Sequence, residues 1–339
     1  MTGRLQKANT RFSAGAKKLE RLDQFSGEDV LNDALSHLHV RGAVYCRSEL
    51  RAPWAFSVNR RPTGGFHAIT SGKGWLEVEG EDRKILISAG DLVVLPHGHS
   101  HVMCDSPESP PTPLDEIIVQ NPLEDGIRLK MGGQGPSTVL LCGGFQFEGR
   151  STNPLLANLP NIIHISGKER SSVNWLRATL RQIDVETRTS RPGALALIAR
   201  LSDILFIQAV RAYFSRLVDG KEGSRNNGWL RALGDPQIGA AIGFIHQQPE
   251  HEWKVGSLAS KVGMSRSAFS EKFRALVGVS PLKYVAQWRV HQATWLLRTS
   301  DAKIADIAGR VGYDSEVSLS RAFKRFNGMS PGNYRRQRD

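Results

Sequence analysis

The chain has 339 residues, 40% of them hydrophobic, with 45 Lys+Arg against 33 Asp+Glu and a formal net charge of +12. That length admits two domains with separate cores. No apolar run approaches the roughly 18 residues that span a bilayer, so no membrane partner is expected. The three cysteines, Cys46, Cys104 and Cys142, are odd in number and widely spaced, which argues against a disulfide framework and for a reducing, cytoplasmic setting.

Residues 1–27 are basic but lack the apolar stretch of a secretory leader, and read as a loosely ordered tail. From about Gly42 to Phe147 short alternating runs are separated by Gly and Pro, as in WLEVEG, RKILISAGDLVVLP and TVLLCGGFQF, which predicts β-strands. Within this stretch GDLVVLPHGHSHVMCD resembles the second motif of the cupins, with Gly90, Pro96, Gly98 and His101 at the motif's spacing and Asp105 in place of its final Asn. The resemblance implies a small cupin-like β-barrel, residues 28–150, with a pocket in its mouth. The first cupin motif is degraded. His67 stands at its first His, but Ile69 replaces the second His and Lys73 the Glu, before Gly80 at the expected spacing. Two of the four ligands that cupins give a metal are thus missing. The pocket of His67, Ile69, Lys73 and His101 is expected to hold a small organic effector, because a lysine repels a dication but pairs with an anionic group. No metal or other cofactor is expected. The alternative is a rebuilt metal site of His67, His99, His101 and Cys142.

Two helical segments follow within residues 151–218, one after Ser171 and one after Pro192. The second carries Leu195, Ile198, Leu201, Leu205 and Ala209 near helical spacing, with Ile204, Phe206 and Ile207 besides, an apolar coverage broad for a surface helix. It is expected to pack either on the barrel or on a second copy of the chain, making a homodimer. The polar, Gly- and Asn-rich DGKEGSRNNG opens a linker over residues 219–234.

The last third repeats itself. LASKVGMSRSAFSEKFRALVGVSPLKY, from Leu258, matches IAGRVGYDSEVSLSRAFKRFNGMSPGNY, from Ile307. Each copy predicts a short helix, a turn at Gly263 or Gly312, and a second helix capped by Ser265 or Ser315 and stopped at Gly278 or Gly328. Ser-Pro then opens a further helix, with Ser280 or Ser330 as its cap. These are two helix-turn-helix units, 255–278 and 303–328, joined by a long helix, Pro281 to Arg298, whose Val285, Trp288, Gln292, Trp295 and Leu296 lie near one stripe. From Trp229 onward the chain holds 17 Lys+Arg against 9 Asp+Glu, a balance that fits either a polyanionic partner, nucleic acid before membrane, or a solvated basic surface.

Residues 235–339 resemble the DNA-binding domain of the AraC/XylS family of bacterial transcription regulators, and VGYDSEVSLSRAFKRFNGMSPGNYRR is similar to that family's signature throughout. The whole chain after about residue 28 is similar to a cupin-type subgroup of these regulators. The resemblance implies double-stranded DNA as partner, a sensor and dimerisation role for the barrel, and RNA polymerase as a further candidate partner. It places the base-reading positions at Ser267, Ser270 and Glu271 in the first unit and at Glu316, Val317, Ser320 and Arg321 in the second. Subtracting the buried positions of each second helix leaves these residues together with Arg266, Arg274 and Lys324 on the exposed face. Lys283, Arg289 and Arg335 are expected on phosphates, where they would set register. The fold class is therefore α+β in two domains, and the function a DNA-binding transcription regulator under effector control rather than an enzyme. The competing readings are a metal-dependent cupin enzyme fused to a DNA-binding module, and a DNA binder whose barrel only dimerises.

Overall fold

The computed structural model describes residues 27–36, 40–147, 153–168, 173–189, 191–220 and 228–337. The expected N-terminal tail, but for Gly27, and residues 221–227 of the expected linker lie outside the described residues. In chain order the elements are α1 (Gly27–Ser36), β1 (Val40–Arg51), β2 (Ala55–Val58), β3 (Gly64–Ser71), β4 (Lys73–Val78), β5 (Ile85–Ser88), β6 (Leu92–Leu95), β7 (His101–Cys104), β8 (Thr112–Pro113), α2 (Leu114–Gln120), β9 (Arg128–Gly132), β10 (Ser137–Phe147), α3 (Pro154–Ala157), β11 (Ile163–Ile165), α4 (Val173–Thr189) and α5 (Ala194–Val218). Helices alone follow: α6 (Trp229–Leu233), α7 (Pro236–Gln247), α8 (Val255–Lys261), α9 (Arg266–Val277), α10 (Pro281–Thr299), α11 (Ile304–Arg310), α12 (Glu316–Asn327) and α13 (Pro331–Arg336).

The chain separates into two compact units. One, named the sensor unit for the role expected of it, comprises residues 39–148 and 160–216; the other takes the segments up to 38, 149–159 and 217 onward. Helix α1, placed with the barrel by sequence boundaries, groups instead with the helices of the second unit.

The sensor unit is built of two sheets, one ordered β11-β6-β3-β10-β1-β9 and one β5-β4-β7-β2-β8. Leu50, Ile69 and Leu140 of the larger sheet meet Phe56, Leu76 and Met103 of the smaller in a single core. The larger sheet is covered on its other face too. Phe66 and Phe145 sit 5.1 Å apart between ring centroids, Phe145 lies 5.1 Å from Phe206 of α5, and Leu176, Leu180 and Ile183 of α4 are buried. A sheet buried on both faces has no use for alternation, so β6 reads LVVL without a polar break and all four residues are buried. The smaller sheet keeps the alternation expected from the sequence: along β4, Leu76 and Val78 point inward while Lys73 and Glu77 are exposed.

Polar bonds fix the helices to the larger sheet. The Arg47 guanidinium on β1, buried, donates to Asp184 of α4 at 2.7 Å and also pairs with Glu49, and the Gly42 amide donates to Asp203 of α5 at 2.6 Å. Helix α5 thus buries Ile198, Leu205, Phe206 and Ala209, whereas Leu195, Leu197 and Ile204 stay 73%, 42% and 44% exposed. The broad apolar coverage read from the sequence divides into a packed face and an open one.

In the second unit α1 packs on α6 and α7, burying Val30, Leu31, Ala34 and Leu35. The two repeats fold alike. Ser265 accepts from the Ala268 amide at 3.3 Å and Ser315 from the Ser318 amide at 3.2 Å, while α9 and α12 end at Gly278 and Gly328 with φ of 81° and 75°, a conformation only glycine adopts freely. The Ser-Pro pair is less symmetric than the sequence implied: Ser330 caps α13 through the Asn333 amide, but the Ser280 side chain makes no cap bond on α10.

Helix α10 departs from the single stripe drawn from the sequence. Tyr284, Val285 and Trp288 are buried toward the first repeat, and Val290, Ala293 and Leu297 in the core of the second with Ile307, Leu319 and Phe323. Gln292, Trp295 and Leu296 are only partly buried. Burial on two sides follows from one helix serving two cores. At the first, the Trp288 ring stacks on His246 at 3.4 Å, and the Tyr284 hydroxyl accepts the Trp229 indole N–H at 2.5 Å while lying 2.8 Å from His246 Nε2. Truncation of Phe206, where α5 meets the sheet, is expected to destabilise the sensor unit by about 3–5 kcal/mol, read as a lowered denaturant midpoint of Phe206→Ala.

Candidate functional site

The residues expected to meet nucleic acid lie on the second helix of each repeat. On α9, Phe269, Phe273 and Val277 are buried, and the opposite face presents Arg266, Ser267, Glu271 and Arg274, exposed, with Ser270 half-buried. On α12, Leu319, Ala322 and Phe323 are buried, and Glu316, Val317, Arg321 and Lys324 are exposed with Ser320 half-buried; Val317, a β-branched apolar residue, is 58% exposed. The residues singled out by subtraction all lie on the exposed faces. One cation was missed: Arg325, exposed four residues beyond Arg321, with its guanidinium 4.8 Å from the Phe326 ring.

The three expected phosphate ligands separate. Lys283 is exposed in the first turn of α10. Arg335 is half-buried and donates to the Ala302 carbonyl at 2.6 Å. Arg289 has another role from the one expected. Its guanidinium donates to the carbonyls of Pro249, Gly312 and His251 at 2.7, 2.7 and 2.8 Å, lies 5.6 Å from the Tyr313 ring, and is pushed below its usual pKa by burial. It clamps the turn of the second repeat to the loop after α7.

In the sensor unit a cavity of about 150 Å³ opens between the sheets. Its walls are mostly apolar, with Val58, Leu95, Leu114, Ile118 and Leu123, and its polar side chains include His67, His99, His101 and Arg61. Cys46 and Cys142 line it as well. Gly98 of the cupin-like motif makes the wall close up: a Cβ there would come within 2.2 Å of the Thr63 carbonyl and 2.3 Å of that of Arg61, and its φ is +63°.

His67 and His101 therefore fall where the sequence put them, but Ile69 and Lys73 do not. Ile69 belongs to the hydrophobic core and Lys73 is exposed at the outer edge of β4; neither lines the cavity. Gly72, the residue before β4, turns the chain, so Lys73 begins the strand on its outward parity. The cationic side chain at the cavity is Arg61, which also reaches Asp115 at 3.4 Å.

The histidines and thiols form one chain of contacts. His101 Nδ1 is 2.9 Å from the His99 carbonyl, His101 Nε2 is 2.7 Å from His67 Nε2, His67 Nδ1 is 3.2 Å from Cys142 Sγ, and Cys46 Sγ is 3.3 Å from Ser48 Oγ. The carbonyl fixes the direction of the protons. It only accepts, so His101 Nδ1 carries hydrogen and its Nε2 accepts. His67 then donates through Nε2, which leaves Nδ1 to accept from the Cys142 thiol. Burial, and then the neighbouring His101, hold His67 well below its usual pKa, and burial lowers His101 also, so both rings are neutral as this pattern requires. The hydrogen bond with Cys142 holds the Cys46 thiol below its usual value, whereas that bond and burial push Cys142 well above. Among the described residues no group of three or more His, Cys, Asp or Glu is arranged to hold a metal ion, and the four residues of the alternative metal site do not meet at one point.

A cupin-type sheet pair with a cavity, joined to two matched helix-turn-helix units on one connector, defines a DNA-binding transcription regulator. A family model described as Cupin matches residues 29–215, and one described as a helix-turn-helix domain matches 258–337. The chain is 35% identical over 311 residues to a putative AraC-like transcription regulator of Streptomyces antibioticus, covering 91% of this chain and 98% of that one. It is 31% identical over 312 residues to the HTH-type transcriptional regulator AlkR of Acinetobacter baylyi, covering 91% and 99%. Among solved structures it is similar to the DNA-binding domain of AdpA in complex with a target DNA, at 37% identity, covering 30% of this chain and 92% of that one with a TM-score of 0.29. The chain belongs to the AraC-like transcription regulators.

Two outcomes follow from this geometry. Arg289→Ala should lower the stability of the second unit by about 1–2 kcal/mol, visible in its thermal unfolding without DNA, because three carbonyls, two of them in part-buried bonds, lose a charged donor. Acidification should destabilise the sensor unit. His67 and His101 titrate below their unfolded value of about 6.5, so the unfolded chain binds protons first, and stability falls as the pH drops below about 6.5. His67→Gln should flatten that part of the pH profile.

Proposed function

We propose that the protein reads two successive major-groove faces with α9 and α12, and that a small molecule in the sensor cavity controls this binding. The observation that carries the first part is the double burial of α10. A helix of 19 residues is about 28 Å long, close to one turn of DNA, and both repeats pack on it as one body. Arg321 is suited to donate two hydrogen bonds to guanine, Glu271 and Glu316 to accept from cytosine, and Val317 to pack on a thymine methyl. Arg266, Arg274, Lys283, Lys324 and Arg325 are suited to phosphates, which position the protein without reading sequence.

The cavity supports a compact, largely apolar effector. Its one polar or anionic group would meet Arg61 or the neutral His67–His101 pair. Control requires that the effector favour one arrangement of the chain over another, since a ligand indifferent to both shifts nothing. The open face of α5, with Leu195, Leu197 and Ile204, supports a second copy of the chain as partner. The sensor unit in this reading binds and does not catalyse.

Footprinting on a selected operator tests the reading. Protection of roughly two helical turns on one side of the duplex is expected, with affinity falling steeply as salt rises. Protection confined to a single groove would refute the paired reading. Arg321→Ala should weaken operator binding by about 1–3 kcal/mol and relax preference at one base pair, while Lys324→Ala should weaken operator and random DNA alike. Equal loss on both DNAs for Arg321→Ala would remove its base-reading role.

A further inference from the structure

We infer that Cys46 and Cys142 form a reversible oxidation site, converted to an intramolecular disulfide by a two-electron, oxygen-transferring oxidant such as hydrogen peroxide. The two residues are partners in the antiparallel pairing of β1 and β10, at the point where the register resumes after a shift between Val44 and Cys46. Directly opposed residues of such a pair lie about 4.5–5.5 Å apart at Cα, inside the roughly 4.4–6.8 Å range of disulfides. Both line the same cavity, whose volume of about 150 Å³ exceeds the roughly 30 Å³ share of one water in the liquid, so a peroxide-sized molecule has room beside them. All three cysteines are free thiols. Cys104 differs in placement: it lies in the smaller sheet opposite Ala55 and Trp75 and does not line the cavity.

The neighbouring groups supply the chemistry. The thiolate of Cys46, stabilised by hydrogen bonding from the Ser48 hydroxyl, attacks one peroxide oxygen; the O–O bond breaks, hydroxide leaves, and Cys46 becomes a sulfenic acid. The Cys142 sulfur then attacks the Cys46 sulfur as its proton passes to His67 Nδ1, the acceptor 3.2 Å away. The S–S bond forms, the S–O bond breaks, and hydroxide departs. With the protons returned, two thiols and one peroxide give one disulfide and two waters. Oxidation also takes from His67 the thiol that donates to it, so the polar end of the cavity changes with the redox state. In a reducing compartment a disulfide of this kind is transient and signalling rather than structural. The inference rests on the register and the cavity, and stands or falls apart from the effector reading.

The full-length protein, treated with hydrogen peroxide and then blocked with an alkylating agent, tests it by peptide mass mapping without reductant. Trypsin places the three cysteines in separate peptides, residues 42–47, 85–128 and 131–150. The expected product joins 42–47 to 131–150 within one chain, leaves only Cys104 open to alkylation, and reverts with dithiothreitol. Cys104→Ser should give the same linkage, and Cys46→Ser and Cys142→Ser none. His67→Gln should slow the closure on the order of 10-fold or more near neutral pH, with the deficit shrinking as pH rises, since a lost base is replaced by hydroxide. The inference is overturned if all three thiols of the wild-type protein remain open to alkylation after peroxide. It is overturned equally by linkages that involve Cys104 or join two chains, by sulfinic acid accumulating without a bridge, or by a His67→Gln rate equal to wild type at every pH.

Discussion

Everything in the DNA-binding unit depends on one helix having two insides. A surface helix buries a single stripe and leaves the rest to water, but α10 buries Tyr284 and Trp288 in one core and Val290, Ala293 and Leu297 in another. The stack of Trp288 on His246 and the bonds about the Tyr284 hydroxyl fix the helix at its first end, and Arg289 ties its middle to the turn of the second repeat. Two short helical pairs become a single rigid reader because they share this element.

The sensor unit shows the same principle in a sheet. Helices α4 and α5 make the larger sheet an interior layer, and only the smaller sheet remains half in water. The cavity sits between the sheets, where His67 and Cys142 occupy directly opposed positions of β3 and β10. A buried chain of hydrogen bonds must be satisfied along its whole length, and a single backbone carbonyl at His99 suffices to set its direction.

Much of this was legible in the residues. The paired repeats, their Ser caps and Gly stops, and the exposed faces of α9 and α12 follow from local rules, because a helix of regular period declares which side it buries. His67 and His101 were legible through their motif. What was not legible depends on contacts distant in sequence. Nothing near Arg289 announces that three carbonyls from two other loops converge on it. Lys73 was placed in the pocket by motif position alone, although the alternation of its own strand, with Leu76 and Val78 inward, assigns it outward. The spacing of the cysteines in the sequence says nothing of the pairing of Cys46 with Cys142, which only the register of β1 against β10 creates. The burial of β6 on both faces was visible as an unbroken LVVL, yet the helix layer that explains it lies about eighty residues away.

The division of the chain into units has a further consequence for modularity. The sensor unit is not a bead placed ahead of the DNA-binding unit. Helix α1 comes before it and returns to the helical unit, as does the short segment holding α3, so the backbone crosses from one unit to the other near residues 38, 148, 159 and 216. A fragment beginning at Trp229 would also leave behind α1 and its buried Val30, Leu31, Ala34 and Leu35, uncovering apolar surface on α6 and α7. Exchange of sensors between such regulators would therefore need cuts that keep α1 with the reader, and a single splice at the linker would not make two self-sufficient halves.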